Sequence, residues 1–504
     1  MASPFFILEL VFTRRPEAPA TSSSGFGLGG AYLVELDQRA RRLCSERLGL
    51  AGLGPGGAGS RLFETEVELV RALASRLGEG GCLVTARGRQ LDLPILEALA
   101  LRHDVPLPGH FALGDPYDAR RSPYGTAKQL DLSSYLADGD RRLRGLSPEV
   151  LLSLLCPGAP PLQRRQLDAD ETQGDARRRA LATYLLFLRV QRLRGLLSEA
   201  EIRGRIEELG GAGLEPALAA LADRAAFAGP EPAPAATLAD GFGDGCLFAF
   251  DIETVVDFEA LSNALGRPVL GEAELPAALA ELGGGPQDFP LAPFHRVVAV
   301  AFVIWDPKSG RIELDRLGLG GRSLAGAPLP EERDLLLAFW RAARGKRLAS
   351  YNGRRFDLPV LFFRSLPHPF DLSWYLAERR PPHEQYRHPQ SVRQLDLFDR
   401  LGGGLSPGKL GDLLQTIGLP GKIGTDGGDV ARLWAEGQGG AIADYCLADA
   451  AQTFLLALRF LRVAGELDAE GEARAIAAAK ERFSREPALR SILELGTRFF
   501  GGRP

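Results

Sequence analysis

The sequence predicts an α/β protein built from two tandem copies of one domain, each a mixed central sheet flanked by helices. Three observations carry this. First, ARGRQLDLPIL (86–96) reads like YNGRRFDLPVL (351–361), and KQLDLSSYL (128–136) like RQLDLFDRL (393–401). Asp92 thus falls on Asp357 and Asp131 on Asp396 at one offset of 265 residues. ATYLLFLR (182–189) and QTFLLALR (452–459) follow in the same order at an offset of 270, and ordered self-similarity of this kind marks a duplication. Second, strand-type runs lead into mixed strand and helix patterns in the second copy, the signature of one sheet covered by helices. Third, AGPEPAPAATLADGFGDG (228–245) separates the copies; its Pro, Ala and Gly resist both helix and sheet and suit a linker. The expected layout is a first copy over 1–227, a linker over 228–245, a second copy over 246–465, and a C-terminal helix and tail over 466–504.

In the second copy, CLFAFDIE (246–253) and HRVVAVAFVIW (295–305) are β-branched or aromatic runs that fit buried strands, and IELDRL (312–317) adds a third. EERDLLLAFWRAA (331–343) has helical spacing and opens with acids, as a helix N-terminus favours. KRLASYN (346–352) predicts a short strand, and DLPVLFFRSL (357–366) the helix after it. SPGKLGDLLQTIGL (406–419) reads as a helix with Ser406 as candidate cap, and IADYCLADAAQTFLLALRFLRV (442–463) as a long helix apolar on one face. AEGEARAIAAAKERF (469–483) closes the pattern.

Composition narrows the class. With 504 residues and 45% hydrophobic content the chain can bury a large core. Its five cysteines, Cys44, Cys82, Cys156, Cys246 and Cys446, contain no C-x-x-C pair, which argues against a disulfide framework and a zinc site and for a reducing cytoplasm. FFILELVF (5–12) is short, contains Glu9 and has its arginines after the run, unlike a signal peptide, and no other run suggests a membrane span. A net charge of −4 excludes a globally basic nucleic-acid coat but not a local basic groove.

Chemistry concentrates in three places of the second copy. FAFDIET (248–254) puts Asp251 and Glu253 one residue apart, hence on one face of a strand. YNGRRFD (351–357) carries Asn352 and Asp357, and YCLAD (445–449) carries Tyr445 and Asp449, four apart on one helix face. Four converging carboxylates would raise one another's proton affinity unless cations lay between them. Oxygen ligands without His or Cys favour Mg²⁺ or Mn²⁺.

D-x-E, N-x(4)-D and Y-x(3)-D in this order resemble the three exonuclease motifs of the DEDD superfamily, Tyr subclass, found in the proofreading domains of family B DNA polymerases. FDIET, FHRVVAVA, YNGRRFDLPVL, QLDLFD, GLPGKIGTDGGDV and DYCLADAAQTFLLALRF together resemble the stand-alone predicted 3′-to-5′ exonucleases related to those domains, over Cys246–Val463. The resemblance implies a ribonuclease H-like fold in each copy and two-metal-ion hydrolysis of a phosphodiester at the 3′ end of DNA, single-stranded above all. Asp251, Glu253, Asp357 and Asp449 would hold two Mg²⁺ or Mn²⁺ ions about 4 Å apart. Tyr445 would orient the attacking water, Glu253 would touch the terminal 3′ hydroxyl, and Asn352 would line the site without binding metal. Thr254, Phe356 and Asn352 beside the acids, with Lys422 in the Gly-rich GKIGTDGGDV (421–430), form the candidate substrate contacts. RNA cleavage by the same chemistry, and a nucleic-acid-binding or scaffold protein without activity, are the alternatives.

WYLAERRPPHEQYRHPQSVR (374–393) interleaves aromatics with cations, which fits either a single-strand grip or aromatics packed on the core. The first copy departs from the motifs. FFILELVF offers only Glu9, Arg87 stands for Asn352, and at offset 270 Tyr445 maps to Asp175 and Asp449 to Arg179. A cation at a ligand position repels the metal, so the first copy is expected to be catalytically dead. The arginines of DARRRALATYLLFLRVQRLRG (175–195) are either phosphate contacts or a solvated helix face.

Overall fold

The computed structural model describes residues 5–14, 26–37, 42–50, 60–78, 82–86, 88–89, 92–107, 110, 129–137, 151, 173–210, 241–282, 289–324, 326, 328–377, 380–403, 406–421 and 428–500. The chain divides into two compact units. The first comprises 1–192, 197–228 and 259–288; the second comprises 193–196, 229–258 and 289–504. Most of the expected linker lies outside the described residues.

The first unit holds strands β1 (Phe5–Arg14), β2 (Phe26–Asp37), β3 (Arg42–Leu50), β4 (Ser60–Phe63), β5 (Cys82–Thr85) and β6 (Gln129–Asp131). They form one sheet in the order β4-β3-β2-β1-β5-β6. β1 pairs antiparallel with β2, β2 antiparallel with β3, and β5 runs parallel to both β1 and β6. Helices Glu66–Gly78 and Asp92–Arg102 supply Leu69, Leu73, Leu96 and Leu99 to a core that includes Leu8 and Leu83 of the sheet.

The second unit holds β7 (Leu247–Val256), β8 (His295–Trp305), β9 (Ile312–Gly318), a two-residue pair β10 (Gly321–Arg322) and β11 (Pro328–Leu329), then β12 (Arg347–Ser350) and β13 (Gln394–Asp396). The main sheet runs β13-β12-β7-β8-β9, antiparallel from β7 to β9 and parallel from β7 to β13. This repeats the β6-β5-β1-β2-β3 order and directions of the first unit, which adds β4 at its edge. β8 is buried at every position but Arg296, because helices cover both faces, and so it reads as a continuous apolar run. Phe248 stacks on Phe302 at 4.8 Å, while Phe339 of helix Glu332–Ala343 meets Phe250 edge-on at 5.2 Å. Helix Gly439–Val463 packs on β7, β8 and β9. It is 25 residues long and apolar enough to cross a membrane, yet 83% of its most apolar window is buried in the protein, the mark of a core helix.

The repeat extends further than the sequence pattern indicates. Helix Gln173–Leu193 is followed by left-handed Gly195 and by helix Glu199–Gly210, whose cap Ser198 accepts from the Glu201 backbone N–H. Helix Gly439–Val463 is followed in the same way by left-handed Gly465 and by helix Ala469–Ser484, capped by Asp468 on the Gly471 N–H. The C-terminal helix therefore has a counterpart in the first copy. It is held to β9 by Arg482–Glu313 at 3.0 Å, while Glu486 just beyond it pairs with Arg316 at 2.7 Å.

Two local expectations meet their outcome here. Helix Leu410–Thr416 begins after Lys409, and Ser406 instead accepts from Gly408 N–H in the preceding turn, so Ser406 is not its cap. Tyr375 and Tyr386 are buried, Tyr386 donating to the Lys346 carbonyl, and they cluster with Trp374 on Trp340. Tyr375 and Tyr386 thus belong to the core, with Trp374 half-buried beside them. Between β7 and β8 the chain also forms helices Phe258–Leu265 and Leu275–Glu281, which the sequence pattern did not indicate.

Candidate active site

β7 places the first two acids. Its alternation sends Phe248, Phe250 and Ile252 into one core layer and Asp251 and Glu253 to the opposite face, toward helix Gly439–Val463. The β7–β8 register shifts between Glu253 and Thr254, a bulge that re-aims the strand just where the acids end. Across the sheet, Glu253 faces Ala299, which faces Gly318, so this row is made of small residues beside the acid. A side chain at Gly318 would bring its Cβ to 3.1 Å from the Cβ of Ala443. The glycine thus lets the long helix approach closely enough for its own acid to reach the strand.

That helix delivers Asp449 and Tyr445. Carboxylate oxygens of Asp251, Glu253 and Asp449 all lie within 4.8 Å of one another. Tyr445 is buried and its hydroxyl donates to Asp449. Burial first, then the charges of Asp449, Glu253 and Asp251, push its ionisation well above the ordinary phenol value. The phenol keeps its proton.

Asp357 opens helix Asp357–Ser365 at a position where the helix dipole favours an acid. It stands outside the 4.8 Å group, but its carboxylate accepts from the backbone of Ile252, the strand residue between Asp251 and Glu253. Burial raises its pKa from 3.8 to about 7, with Asp396 adding to the effect. All four acids surround Cys446: after burial, Asp251, Glu253, Asp449 and Asp357 in turn push its thiol upward.

The turn before Asp357 depends on an acid that motif reading passed over. Asp396 accepts from the backbone N–H groups of Asn352 at 3.0 Å and Arg354 at 2.8 Å, and also caps the helix Leu397–Gly402 through Phe398 and Asp399. Asn352 adopts φ 66°, a left-handed conformation that asparagine tolerates, so it is a turn residue. A Cβ at Gly353 would lie 2.5 Å from Ser350 Oγ, which only glycine avoids. The first unit repeats the device. Arg89 N–H donates to Asp131 at 2.8 Å, as Arg354 does to Asp396, and Gly88 packs on Thr85 as Gly353 does on Ser350. The QLD pattern shared by both copies was the available signal.

The remaining candidates separate. Thr254 is bonded through its hydroxyl to His295 Nδ1 at 2.9 Å, so it serves the protein's own structure. Half-buried Phe356 meets His295 edge-on at 5.0 Å and Phe289 at 5.5 Å, and Phe289 is exposed. This ring group adjoins Thr254 and Asp357 and was not anticipated. Lys422 lies outside the described residues. In the first unit, Asp92 and Arg179 are both buried, and the side chains of Glu9, Arg87 and Asp175 lie outside what is described.

The model of a family described as predicted 3′–5′ exonucleases related to the exonuclease domain of PolB matches residues 61–212 and 287–494. The chain belongs to this family. The two matched regions fall one in each copy, and the fold of this exonuclease-family chain is ribonuclease H-like in both. The second match contains Asp357, Tyr445 and Asp449 and begins after Asp251 and Glu253. No curated protein matches the chain. Membership makes it a nuclease-class hydrolase with nucleic acid as its substrate class, and the acid cluster gives it a plausible seat for metal.

Proposed function

We propose that the second unit is a metal-dependent 3′-to-5′ exonuclease of the Tyr subclass that removes nucleotides from the 3′ end of single-stranded DNA, and that the first unit is its inactive copy. The convergence of Asp251, Glu253 and Asp449 within 4.8 Å supports this above all. Donor chemistry fits hard divalent cations, since every candidate ligand is a carboxylate. Two Mg²⁺ or Mn²⁺ ions held by Asp251, Glu253, Asp357 and Asp449 would supply charge neutralisation at phosphorus and a nucleophilic water at neutral pH.

The chain's own residues do the rest. Tyr445 keeps its proton and therefore orients water by a hydrogen bond, with Asp449 fixing the phenol. Glu253 would accept from the terminal 3′ hydroxyl. Phe356 and exposed Phe289, braced by His295, offer ring faces beside the acids on which a terminal base can stack. Arg179, standing where Asp449 stands in the other copy, disfavours a cation in the first unit. Buried free thiols at Cys246 and Cys446 suit a reducing cytoplasm, where we place the protein.

The test uses 5′-labelled single-stranded DNA and RNA with Mg²⁺ or EDTA, beside Asp251→Ala. The expected result is a ladder shortening from the 3′ end, faster on DNA, absent in EDTA and in the variant. Degradation that persists in either control removes the mechanism. Protein that binds metal but degrades neither polymer is a binding or scaffold protein instead.

A further inference from the structure

Two helical turns beyond Asp357, on the same helix, stands Arg364. Its guanidinium is mostly buried, with 20% of the side chain exposed, and it holds two acids at once. Nη1 reaches Asp257 at 2.6 Å, while Nε and Nη2 form a two-pronged contact with Glu332, the Nε contact at 2.8 Å. Asp257 is the first residue after β7, four beyond Glu253. Glu332 opens helix Glu332–Ala343 and also accepts the backbone N–H of Val297 on β8 at 2.8 Å. One cation therefore joins the end of the strand bearing Asp251 and Glu253, the neighbouring strand, and the helix bearing Asp357.

The fold does not require this cation. In the first unit the helix Asp92–Arg102 occupies the same place in the same strand order, and the residue at the position of Arg364 is Leu99, fully buried among Leu69, Leu73 and Leu96. Glu66, the counterpart of Glu332 at the start of its helix, pairs instead with Arg102 at 3.8 Å, the last residue of helix Asp92–Arg102, and with His103 just after it at 2.7 Å. The copy that lost the acid motifs has an apolar contact at this point; the copy that keeps them has a charged one.

We infer that Arg364, with Asp257 and Glu332, is a positioning network that fixes the separation between the β7 acids and Asp357 so that the four carboxylates accept divalent cations. This rests on the metal-dependent reading above. Like-charged groups held without such a brace relax apart, and outer partners of a metal site typically set about 10–100-fold of its affinity. Arginine suits the place because its planar fork binds two carboxylates at fixed angles.

The experiment titrates Mn²⁺ calorimetrically into full-length wild type, Asp257→Asn and Arg364→Lys, with Arg482→Gln as control. The control breaks the Arg482–Glu313 pair, of similar burial in the same unit, on the C-terminal helix. We expect about tenfold or greater loss of Mn²⁺ affinity in the two network variants, a parallel rise in half-saturating Mg²⁺ for cleavage, and a smaller change in kcat at saturating Mg²⁺. Arg482→Gln should lower thermal stability and leave Mn²⁺ affinity as in wild type. Unchanged Mn²⁺ affinity in both network variants overturns the inference, as does an equal loss in the control. A wild type that binds no Mn²⁺ overturns the metal reading and this inference with it. A wild type that binds Mn²⁺ and cleaves nothing overturns only the exonuclease reading, because the affinity comparison stands by itself.

Discussion

The thiol of Cys446 lies 3.3 Å from the main-chain oxygen of Asp251, to which it donates, and 3.9 Å from Oδ2 of the same residue. The long helix thus touches β7 at the first acid itself. Burial and four surrounding carboxylates keep this sulfur protonated, so it should resist alkylation in the native state. Mass spectrometry after iodoacetamide treatment should find Cys446 unmodified until denaturant is added. Native-state labelling would mean that the helix lifts from β7.

Removing a carboxylate should trade stability for activity. Asp449→Asn relieves repulsion in the cluster with Asp251 and Glu253, so the metal-free protein should gain about 1 kcal/mol or more in thermal or urea unfolding. Cleavage should drop by about 10³-fold. A variant that is both less stable without metal and fully active contradicts the cluster.

Asp357 gives the pH dependence a sign. Its folded-state pKa, raised from 3.8 to about 7, means that the folded protein holds the proton more tightly than the unfolded chain. The resulting stabilisation is complete below 3.8 and is lost as pH climbs through about 7. In EDTA, the Tm of wild type should therefore fall relative to that of Asp357→Asn between pH 5 and pH 8. Mg²⁺ favours the ionised acid, so its Tm increment should be larger at pH 8 than at pH 6. Parallel pH profiles for the two proteins would show that Asp357 is not the group responsible.

Asp396 and Asp131 offer a comparison inside one chain. Each accepts backbone N–H groups from a distant turn and from the start of its own helix, four for Asp396 and, among the described residues, two for Asp131. Either Ala substitution should cost about 2–4 kcal/mol of unfolding free energy in its own unit. Only Asp396→Ala should also abolish cleavage, since its turn leads to Asp357. Equal loss of activity in both variants would assign the first unit a part in catalysis.

Phe289→Ala and Phe356→Ala should weaken substrate more than chemistry. Loss of one base-stacking ring corresponds to about a tenfold rise in KM for an oligonucleotide, with kcat changed little. Equal effects on dinucleotide substrates with and without a 3′-terminal base would argue against stacking.

What the sequence determined by itself was whatever repeats or alternates along the chain. Asp92 over Asp357 and Asp131 over Asp396 exposed the duplication, and the period of two in FAFDIET put Asp251 and Glu253 on one face. The four-residue step from Tyr445 to Asp449 did the same on a helix, because side-chain direction follows from local backbone geometry alone. What only the tertiary structure decided lies between segments far apart in sequence. The closeness of Asp449 to β7 depends on the small row Glu253–Ala299–Gly318, which appears only when three strands are in register. The link from Arg364 to Asp257 and Glu332 joins charges that sequence alone leaves unconnected. The aromatics of 374–393 fit a strand grip or a packed core equally in the sequence, and only the tertiary structure puts Tyr375 and Tyr386 in the core. Pairing through space is set by register and packing between elements, and neither leaves a periodic trace in the chain.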